Sequence, residues 1–316
     1  MRTASFLLIA LIASCASRQT ARRAPATPAL QSELEAVAVR IDGQVSITIL
    51  ELATGVETSV EGDVPVPLYS TFKAWIGVAV ADAVERGRMR WTDTVRIQPD
   101  DLTFDYQPIA EAVGEGQDFT LEELVRWSIA WSDNPSADAL LAHLGGANAV
   151  RDSLARLGLE EIVIRANEAT LHEQAGEVRN EAASMSQGDL RRRMRERLAG
   201  GNQSTASAVA RALSDLARRE VLGEEGTERM LAELRATETG RNRLRAGLLE
   251  GWSIAHKTGT AHTIAGLGGA ADMGIITAPD GARYAVAVFI VGSSAGRGEQ
   301  EDLIADVARA LVRSVE

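Results

Sequence analysis

The spacing of apolar residues separates two strand-rich ends of the chain from a helical middle. Apolar and polar residues alternate over 45–51 and again over 57–60, across a turn at 54–55, which predicts a hairpin behind an opening helix near 31–41. From about 120 to 235 the apolar residues recur at helical spacing. The middle of the chain is therefore expected to be mostly helical.

Strands return after residue 252. They are predicted at 252–260, 266–277 and 284–292, and a terminal helix is predicted over 301–315. Strands at the two ends of a chain need hydrogen-bonding partners, so we expect them to share one sheet. The predicted fold class is α/β of the α+β kind: an antiparallel sheet from both chain ends, flanked by helices, with a mostly helical subdomain inserted.

The first thirty residues have the pattern of an export signal followed by a tether. A positive residue opens the chain and an apolar run too short to span a bilayer follows. The only cysteine, Cys15, ends a segment similar to the bacterial lipobox, although ordinary signal cleavage just beyond it would discard it. We expect a signal peptide with a lipobox over 1–15, a tether over 16–30 and one folded body over 31–316, exported to the periplasm and anchored through Cys15.

Composition excludes several classes of partner. The chain has 316 residues, 45% of them hydrophobic, which is enough for a large core. Its formal charge of −11 argues against a nucleic-acid partner. The arginine-rich run at 191–195 is interpreted as the solvated face of a helix, with Asp189 and Glu196 as nearby ion-pair partners.

Lysine occurs only twice, at Lys73 and Lys257, among 33 lysines and arginines. A buried lysine amine can lose its proton, whereas a guanidinium stays charged, so these two positions are expected to need what arginine lacks. A coding bias toward arginine would also leave two lysines by chance. Their neighbours favour chemistry, because each lysine belongs to a short motif.

The first motif is Ser70-Thr71-Phe72-Lys73, at the predicted start of a helix that ends at Gly87. The unpaired N–H groups of a helix N-terminus favour a developing oxyanion, and Lys73 lies one turn after Ser70 on the same face. A desolvated lysine is one base that activates a serine hydroxyl. Taken alone, an N-capping serine followed by a surface lysine would look the same.

Two further motifs follow along the chain. Ser132-Asp133-Asn134 precedes a proline that suits the first turn of a helix. The motif predicts either a capped interhelical turn or a functional site, in which the hydroxyl relays a proton and the amide binds substrate. Lys257-Thr258-Gly259-Thr260 lies on a predicted strand, where Gly259 marks either a β-bulge or the close approach of another backbone or a ligand. The lysine and the two hydroxyls beside it would suit a carboxylate.

Ser-x-x-Lys, Ser-Asp-Asn and Lys-Thr-Gly in this order are the motif set of class A β-lactamases and penicillin-binding proteins. From about residue 31 to its end the chain resembles a class A serine β-lactamase. The resemblance implies the fold that these two families share and hydrolysis of the β-lactam ring of penicillins and cephalosporins, which gives antibiotic resistance. We expect no cofactor and no metal, small-molecule β-lactams as ligands, and a monomer.

The resemblance also implies the catalytic roles. Ser70 would be the nucleophile, with the N–H groups of Ser70 and Thr260 as the oxyanion hole. Lys73 and Glu168 are both candidate bases for acylation, and Glu168 would activate the deacylating water. Ser132 would pass a proton to the lactam nitrogen.

Substrate binding is likewise assigned by resemblance. Asn134 would hold the acylamino side chain of the substrate. The strand motif, formed by Lys257, Thr258, Gly259 and Thr260, would bind the substrate carboxylate. Tyr106 occupies the position of an aromatic residue that flanks the site entrance, although it would be unexceptional as a surface tyrosine.

The segment around Glu168 departs from the common family pattern. The asparagine usual four residues after the glutamate is replaced by His172, which would orient Glu168 or its water or else be an ordinary core or surface histidine. This change, the Asn167-Glu168 pair and the long continuation to Met185 resemble the PER-type extended-spectrum subgroup. A site roomy enough for oxyimino cephalosporins is therefore expected.

A second cation for the substrate carboxylate has to come from an unusual place. Many class A enzymes carry an arginine on the strand after Lys-Thr-Gly, but residues 264–276 contain none. We expect Arg243 to reinforce Lys257. Arg241 or Arg245 would be the alternative, or Arg243 would be one more surface arginine.

Other functions would share part of this pattern. A penicillin-binding D-alanyl-D-alanine carboxypeptidase uses the first three motifs but lacks the glutamate, so Glu168 favours the lactamase. A membrane-tethered covalent β-lactam receptor would fit Cys15 and the tether and would keep a stable acyl adduct. A structural envelope lipoprotein would explain the anchor but not the four motifs.

Overall fold

The structure, a computed structural model, describes residues 28–102, 106–198 and 201–315. The predicted signal segment, Cys15 and most of the predicted tether lie outside the described residues. The first helix, α1 (Pro28–Ala38), begins three residues before the predicted folded body. No helix in the described part of the chain combines the length and apolar character needed to span a bilayer.

One five-stranded sheet unites the two ends of the chain, as the sequence predicts. Its strands are β1 (Gln44–Glu51), β2 (Glu57–Val60), β7 (Ser253–Thr260), β8 (Gly268–Thr277) and β9 (Arg283–Ser293). They are arranged in the order β2-β1-β9-β8-β7, and neighbouring strands are antiparallel.

The central strand β9 divides its side chains between two hydrophobic cores. Successive side chains of a strand point to opposite faces of the sheet. Val286, Val288 and Ile290 belong to the core shared with α1 and the terminal helix α11 (Arg297–Val315). Ala287 and Phe289 belong to the larger core shared with the inserted subdomain. Both faces of the sheet are therefore covered by apolar side chains.

The insertion is mostly helical, as predicted. Its helices are α2 (Phe72–Glu85), α3 (Ala110–Val113), α4 (Leu121–Ala130), α5 (Asn134–His143), α6 (Ala147–Arg156), α7 (Glu168–Ala182), α8 (Gln187–Leu198), α9 (Ala206–Ala217) and α10 (Glu224–Arg235). The central helix α2 is buried nearly all round because α4, α5, α6 and α10 pack against it.

Two short antiparallel pairs brace the insertion. Strand β3 (Pro65–Pro67) pairs with β6 (Gln203–Thr205), and β4 (Thr94–Ile97) pairs with β5 (Gln117–Thr120). The run 191–195 lies on α8 as predicted, and Arg192 pairs with Asp189. The edge strand β7 contacts the turn that precedes α2, so the sheet and the insertion meet where two of the sequence motifs lie.

Candidate active site

Ser70 lies in a tight turn that leads directly into α2. The turn is a 3-10 helix over Tyr69–Thr71 and α2 begins at Phe72, so Ser70 precedes the α-helix proper instead of starting it. Tyr69 has a φ of +46°, a left-handed conformation that is unfavourable for a non-glycine residue. Its hydroxyl donates to the Ile290 carbonyl at 3.2 Å, which fastens the turn to the central strand of the sheet.

Gly259 lets strand β7 approach this turn closely. A β-carbon at Gly259 would lie 2.7 Å from Tyr69 Cβ and 3.1 Å from the Ser70 nitrogen. The predicted close approach of another backbone is therefore confirmed, since a larger residue would push β7 away from Ser70. Thr260 follows at the exposed end of the same strand.

Lys73 is fully buried and lies at the centre of the site. Its Nζ is 2.8 Å from Glu168 Oε1, and it donates to the Ser132 carbonyl and to Asn134 Oδ1, each at 2.6 Å. Ser70 Oγ lies 3.4 Å from the same nitrogen. The structure thus brings together residues from three separate sequence motifs around one amine.

Ser132 lies between the two lysines. It adopts a φ of +60°, and its hydroxyl oxygen accepts from Lys257 Nζ at 2.8 Å while its carbonyl accepts from Lys73. The neighbouring Asp133 caps α5 by accepting from the Ser136 N–H at 2.7 Å. The predicted interhelical turn therefore exists, and it also holds Ser132 against both amines.

Lys257 is also fully buried. Besides Ser132 Oγ, its Nζ donates to the Thr258 carbonyl at 2.9 Å. Burial, and then the charge of nearby Lys73, hold the pKa of Lys257 well below the ordinary lysine value. Within the described residues no carboxylate forms a salt bridge with Lys257, and an incoming anion would favour the charged form of this amine.

Glu168 begins α7, within the stretch that is predicted to be mostly helical. The Asn167 side chain caps this helix by accepting from the Thr170 N–H at 3.0 Å. The Asp138 carboxylate accepts from the N–H groups of Glu168 at 2.7 Å and Ala169 at 3.1 Å. The first turn of α7 is thus held from both sides, and this fixes the backbone of the glutamate.

Asp138 is a residue that the sequence analysis missed. Burial raises its pKa to about 6, and the charge of Glu168 adds to this, while the two backbone N–H donors oppose it. The available signal was its position on α5 four residues after Asn134, which places both side chains on the same helix face.

The carboxylate of Glu168 keeps one oxygen available. Its Oε1 forms the ion pair with Lys73 but accepts no hydrogen bond from any described residue, because the geometry of that pair lies off the hydrogen-bond direction. A buried carboxylate oxygen with spare lone pairs beside a serine is suited to hold a water molecule.

Arg243 lines the cavity that also holds Ser70 and Glu168, whereas Arg241 and Arg245 do not. It is buried and donates to the Thr260 hydroxyl at 2.7 Å and to the Gly259 carbonyl at 2.8 Å. Arg241 is exposed and pairs with Glu238, and Arg245 donates to the Thr237 carbonyl at 3.0 Å. Of the three candidates, Arg243 alone is both buried and part of the cavity lining.

Arg243 is nevertheless not a free cation. Its guanidinium lies 3.3 Å from Glu301 Oε1, which balances part of its charge. Its bonds to Gly259 and Thr260 place it behind the Lys257 strand, so the guanidinium orients the end of β7 as well as contributing charge.

The remaining predicted residues lie on the rim. Tyr106 is 47% exposed and lines the cavity, as an entrance residue would. His172 lies on α7 and packs edge-on against His262, with ring centroids 5.7 Å apart. Among the described residues it makes no hydrogen bond to Glu168, so its expected orienting role stays a prediction.

These groups surround one cavity of about 530 Å³. One end is polar and holds Ser70, Ser132, Asn134 and Glu168. The other end is apolar and is formed by α7, α8 and the segment after β7. Its apolar residues are Leu171, Ala175, Val178, Met194 and Ile264.

Comparisons with known proteins agree with this geometry. Residues 29–315 match the family described as the Beta-lactamase enzyme family. Beta-lactamase VEB-1 of Pseudomonas aeruginosa is 26% identical over 90% of this chain and 89% of its own length, and Extended-spectrum beta-lactamase PER-1 of the same organism is 29% identical over 77% and 73%.

Solved structures give the same answer. A β-lactamase from Chitinophaga pinensis superposes with a TM-score of 0.79 at 27% identity, covering 91% of this chain and 99% of its own. An ancestral class A β-lactamase reaches 0.76 at 30% identity, covering 90% and 99%. The fold, the motif order and the convergence of the motifs on one cavity thus agree, and the chain belongs to the β-lactamase enzyme family as a class A serine enzyme.

Proposed function

We propose that this protein opens the β-lactam ring of penicillins and cephalosporins through an ester on Ser70, and that water activated by Glu168 hydrolyses the ester. Family membership supports the overall reaction and its consequence, antibiotic resistance. The contacts around Lys73 support the assignment of the individual steps.

In acylation the Ser70 oxygen attacks the lactam carbonyl, and the carbon–nitrogen bond of the ring then breaks. As an ammonium, Lys73 already donates to Ser132 and Asn134 and pairs with Glu168, so it has no lone pair for the serine proton. It can accept that proton once it has passed one of its own to another group, and Glu168 at 2.8 Å is placed to take it. In this scheme Glu168 assists acylation but is essential only for the deacylating water.

The charge that develops on the carbonyl oxygen requires donors at the turn. The N–H groups of Ser70 and Thr260 are the proposed oxyanion hole, and the close contact that Gly259 allows supports this pairing. Ser132 is the proposed donor to the lactam nitrogen. Its oxygen accepts from Lys257, which leaves its own hydrogen for the leaving nitrogen.

Lys257 is the proposed anchor for the substrate carboxylate. Its buried amine lacks a carboxylate partner among the described residues, and a substrate carboxylate would supply one and stabilise the charged form. The hydroxyls of Thr258 and Thr260 lie on the same strand, and Arg243 adds positive charge behind them. Asn134 is the proposed contact for the acylamino group.

The apolar end of the cavity supports an extended spectrum. Helix α7 borders a cavity of about 530 Å³, with Tyr106 on the rim. We expect the wild type to hydrolyse the oxyimino cephalosporins cefotaxime and ceftazidime, measured from their loss of ultraviolet absorbance. If the protein hydrolyses simple penicillins but neither cefotaxime nor ceftazidime, the proposed extended spectrum is wrong and the proposed β-lactamase activity still holds.

The observation that carries the mechanism is the 2.8 Å pair between Lys73 and Glu168 beside Ser70. Replacing Glu168→Gln should leave acylation measurable but slow deacylation by ~10²- to 10⁴-fold, the usual cost of losing a general base. Mass spectrometry should then find a persistent cephalosporin adduct that is absent when Ser70→Ala is added.

Glu173→Gln is the matched control, because Glu173 is exposed on the same helix. It should turn over like the wild type. Normal turnover by Glu168→Gln would refute the assigned role of the glutamate.

Anchoring is proposed separately, because Cys15 lies outside the described residues. We infer an exported protein whose mature chain begins at a lipid-modified Cys15, on the basis of the lipobox-like segment before it. Mass spectrometry of the native N-terminus tests this, and a start beyond Cys15 would contradict it.

A further inference from the structure

Two histidines meet in the lining of the cavity. His172 is half-buried on α7, and His262 is exposed on the segment that follows β7. Their rings meet edge to face at 83°, with centroids 5.7 Å apart. Both rings line the cavity that also holds Ser70 and Glu168.

This spacing suits a shared metal ion. Two imidazoles on one tetrahedral zinc, with Zn–N bonds of about 2.0–2.1 Å, place their ring centroids roughly 5 to 6 Å apart. Histidine is also the commonest metal ligand in proteins. A shared ion requires one nitrogen of each ring to face the same point, and exposed His262 has the freedom to turn toward His172.

We propose that His172 and His262 form a two-histidine site for a transition-metal dication such as Zn²⁺ or Cu²⁺, and that the bound ion blocks the active-site cavity. Within the described chain, no group of three or more histidine, cysteine, aspartate or glutamate side chains gathers around a common point. Water would therefore fill the remaining coordination positions. Binding is accordingly reversible and serves inhibition, with no part in catalysis.

Occupancy would have two effects on the site. The ion would tie α7 to the segment after β7, across the apolar end of the cavity. It would also fix the helix that carries Glu168, because His172 lies one turn after that residue. Bulky substrates should be excluded first, so the metal should raise KM before it lowers kcat.

The test titrates Zn²⁺ alone into the full-length protein by calorimetry and, in parallel, into a chromogenic cephalosporin assay. We expect one Zn²⁺ site in the wild-type protein. Losing a residue that only orients a metal ligand costs roughly 10- to 100-fold in affinity, so the loss in His262→Asn should be at least that large. Zn²⁺ should raise KM in the wild type, a chelator should reverse this, and His262→Asn should be insensitive.

His143→Asn is the matched control, since His143 is exposed as the last residue of α5 and does not line the cavity. It should bind Zn²⁺ like the wild type. Cys15 is present in every variant, so the difference between the wild type and His262→Asn reports the site.

Equal Zn²⁺ affinity in the wild type and His262→Asn would overturn the site. Binding at His262 without any change in KM would overturn the inhibition. Because calorimetry does not depend on turnover, a protein without lactamase activity would still show whether the site exists.

Discussion

The two halves of the active site are held by different kinds of interaction. The half built on the sheet joins Gly259 and its neighbours on β7 to the Ser70 turn through close backbone packing and a tyrosine fixed to β9. The half built on the insertion holds Glu168 through backbone N–H groups at the start of α7, which donate to the side chains of Asp138 and Asn167.

This difference determines what each half is sensitive to. Backbone packing does not titrate, so the contact between β7 and the Ser70 turn should depend on side-chain volume and little on pH. Carboxylate hydrogen bonds do titrate, so the insertion half should depend on pH and tolerate changes of volume. Each prediction below tests one side of this comparison.

The largest effect is expected from added volume on the sheet side. In Gly259→Ala, the new β-carbon would lie 2.7 Å from Tyr69 Cβ, so β7 or the Ser70 turn has to move. Displacement of a reacting group by about 1 Å costs ~10²-fold in rate, and overpacking costs about 1–3 kcal/mol of stability. Steady-state kinetics and urea unfolding measure both quantities.

The control for that change is Gly298→Ala on α11, where no atom lies within 4 Å of the added carbon. It should match the wild type in both assays. A Gly259→Ala enzyme with wild-type kcat/KM would show that close packing does not hold this half.

A smaller effect, specific to pH, is expected on the insertion side. The pKa of Asp138 is raised from its ordinary 3.8 to about 6, so the folded state binds this proton more tightly than the unfolded state. Its contribution to stability is therefore fully present below about pH 4 and is lost as pH rises through 6. The loss amounts to about 2–3 kcal/mol.

Asp138→Asn cannot titrate, so it should lack this decline. Urea unfolding of both proteins at pH 4 and pH 7 measures the difference. From pH 4 to pH 7, the free energy of unfolding of Asp138→Asn should rise relative to that of the wild type. Parallel pH profiles would contradict the assignment. A pH profile of Gly259→Ala that parallels the wild type would sharpen the comparison.

The smallest effect is expected where Arg243 supports the end of β7. Arg243→Ala removes charge-assisted bonds worth about 1.5–3 kcal/mol, so KM for cephalosporins should rise roughly ten- to hundredfold. Arg241→Ala, which removes an exposed arginine two residues away, should leave KM unchanged. An unaltered KM and kcat in Arg243→Ala would refute the substrate-binding role.

Much of the fold could be predicted from the sequence because it follows periodicity. The alternation of β1 and β9 and the helical spacing of α2 arise from burial, which leaves a pattern in neighbouring positions. Helix boundaries shifted by a few residues, as at α11, which begins at residue 297 instead of 301. Caps and first turns depend on contacts that periodicity does not record.

The site residues could be predicted where several of them lie within one short sequence motif. The contact between Gly259 and the Ser70 turn was expected from a glycine within a strand and is confirmed. Asp138 was not, because an aspartate on a helix has the same local signal whether it faces solvent or holds a distant helix start. The strained φ of Tyr69 left no local signal either, since the sheet enforces it.

The antiparallel packing of α1 against α11 has a practical consequence for protein engineering. Arg40 pairs with Asp306 and Glu33 pairs with Arg313, so the two described ends of the fold emerge side by side. A short peptide joining 315 to 28 would therefore close the chain into a ring without crossing the cavity. Closing a ring of this size lowers the entropy of the unfolded chain, which is worth on the order of 5 kcal/mol of stability. It also allows new chain ends to be opened at the exposed turn around Gly281, for use as a ligand-gated reporter.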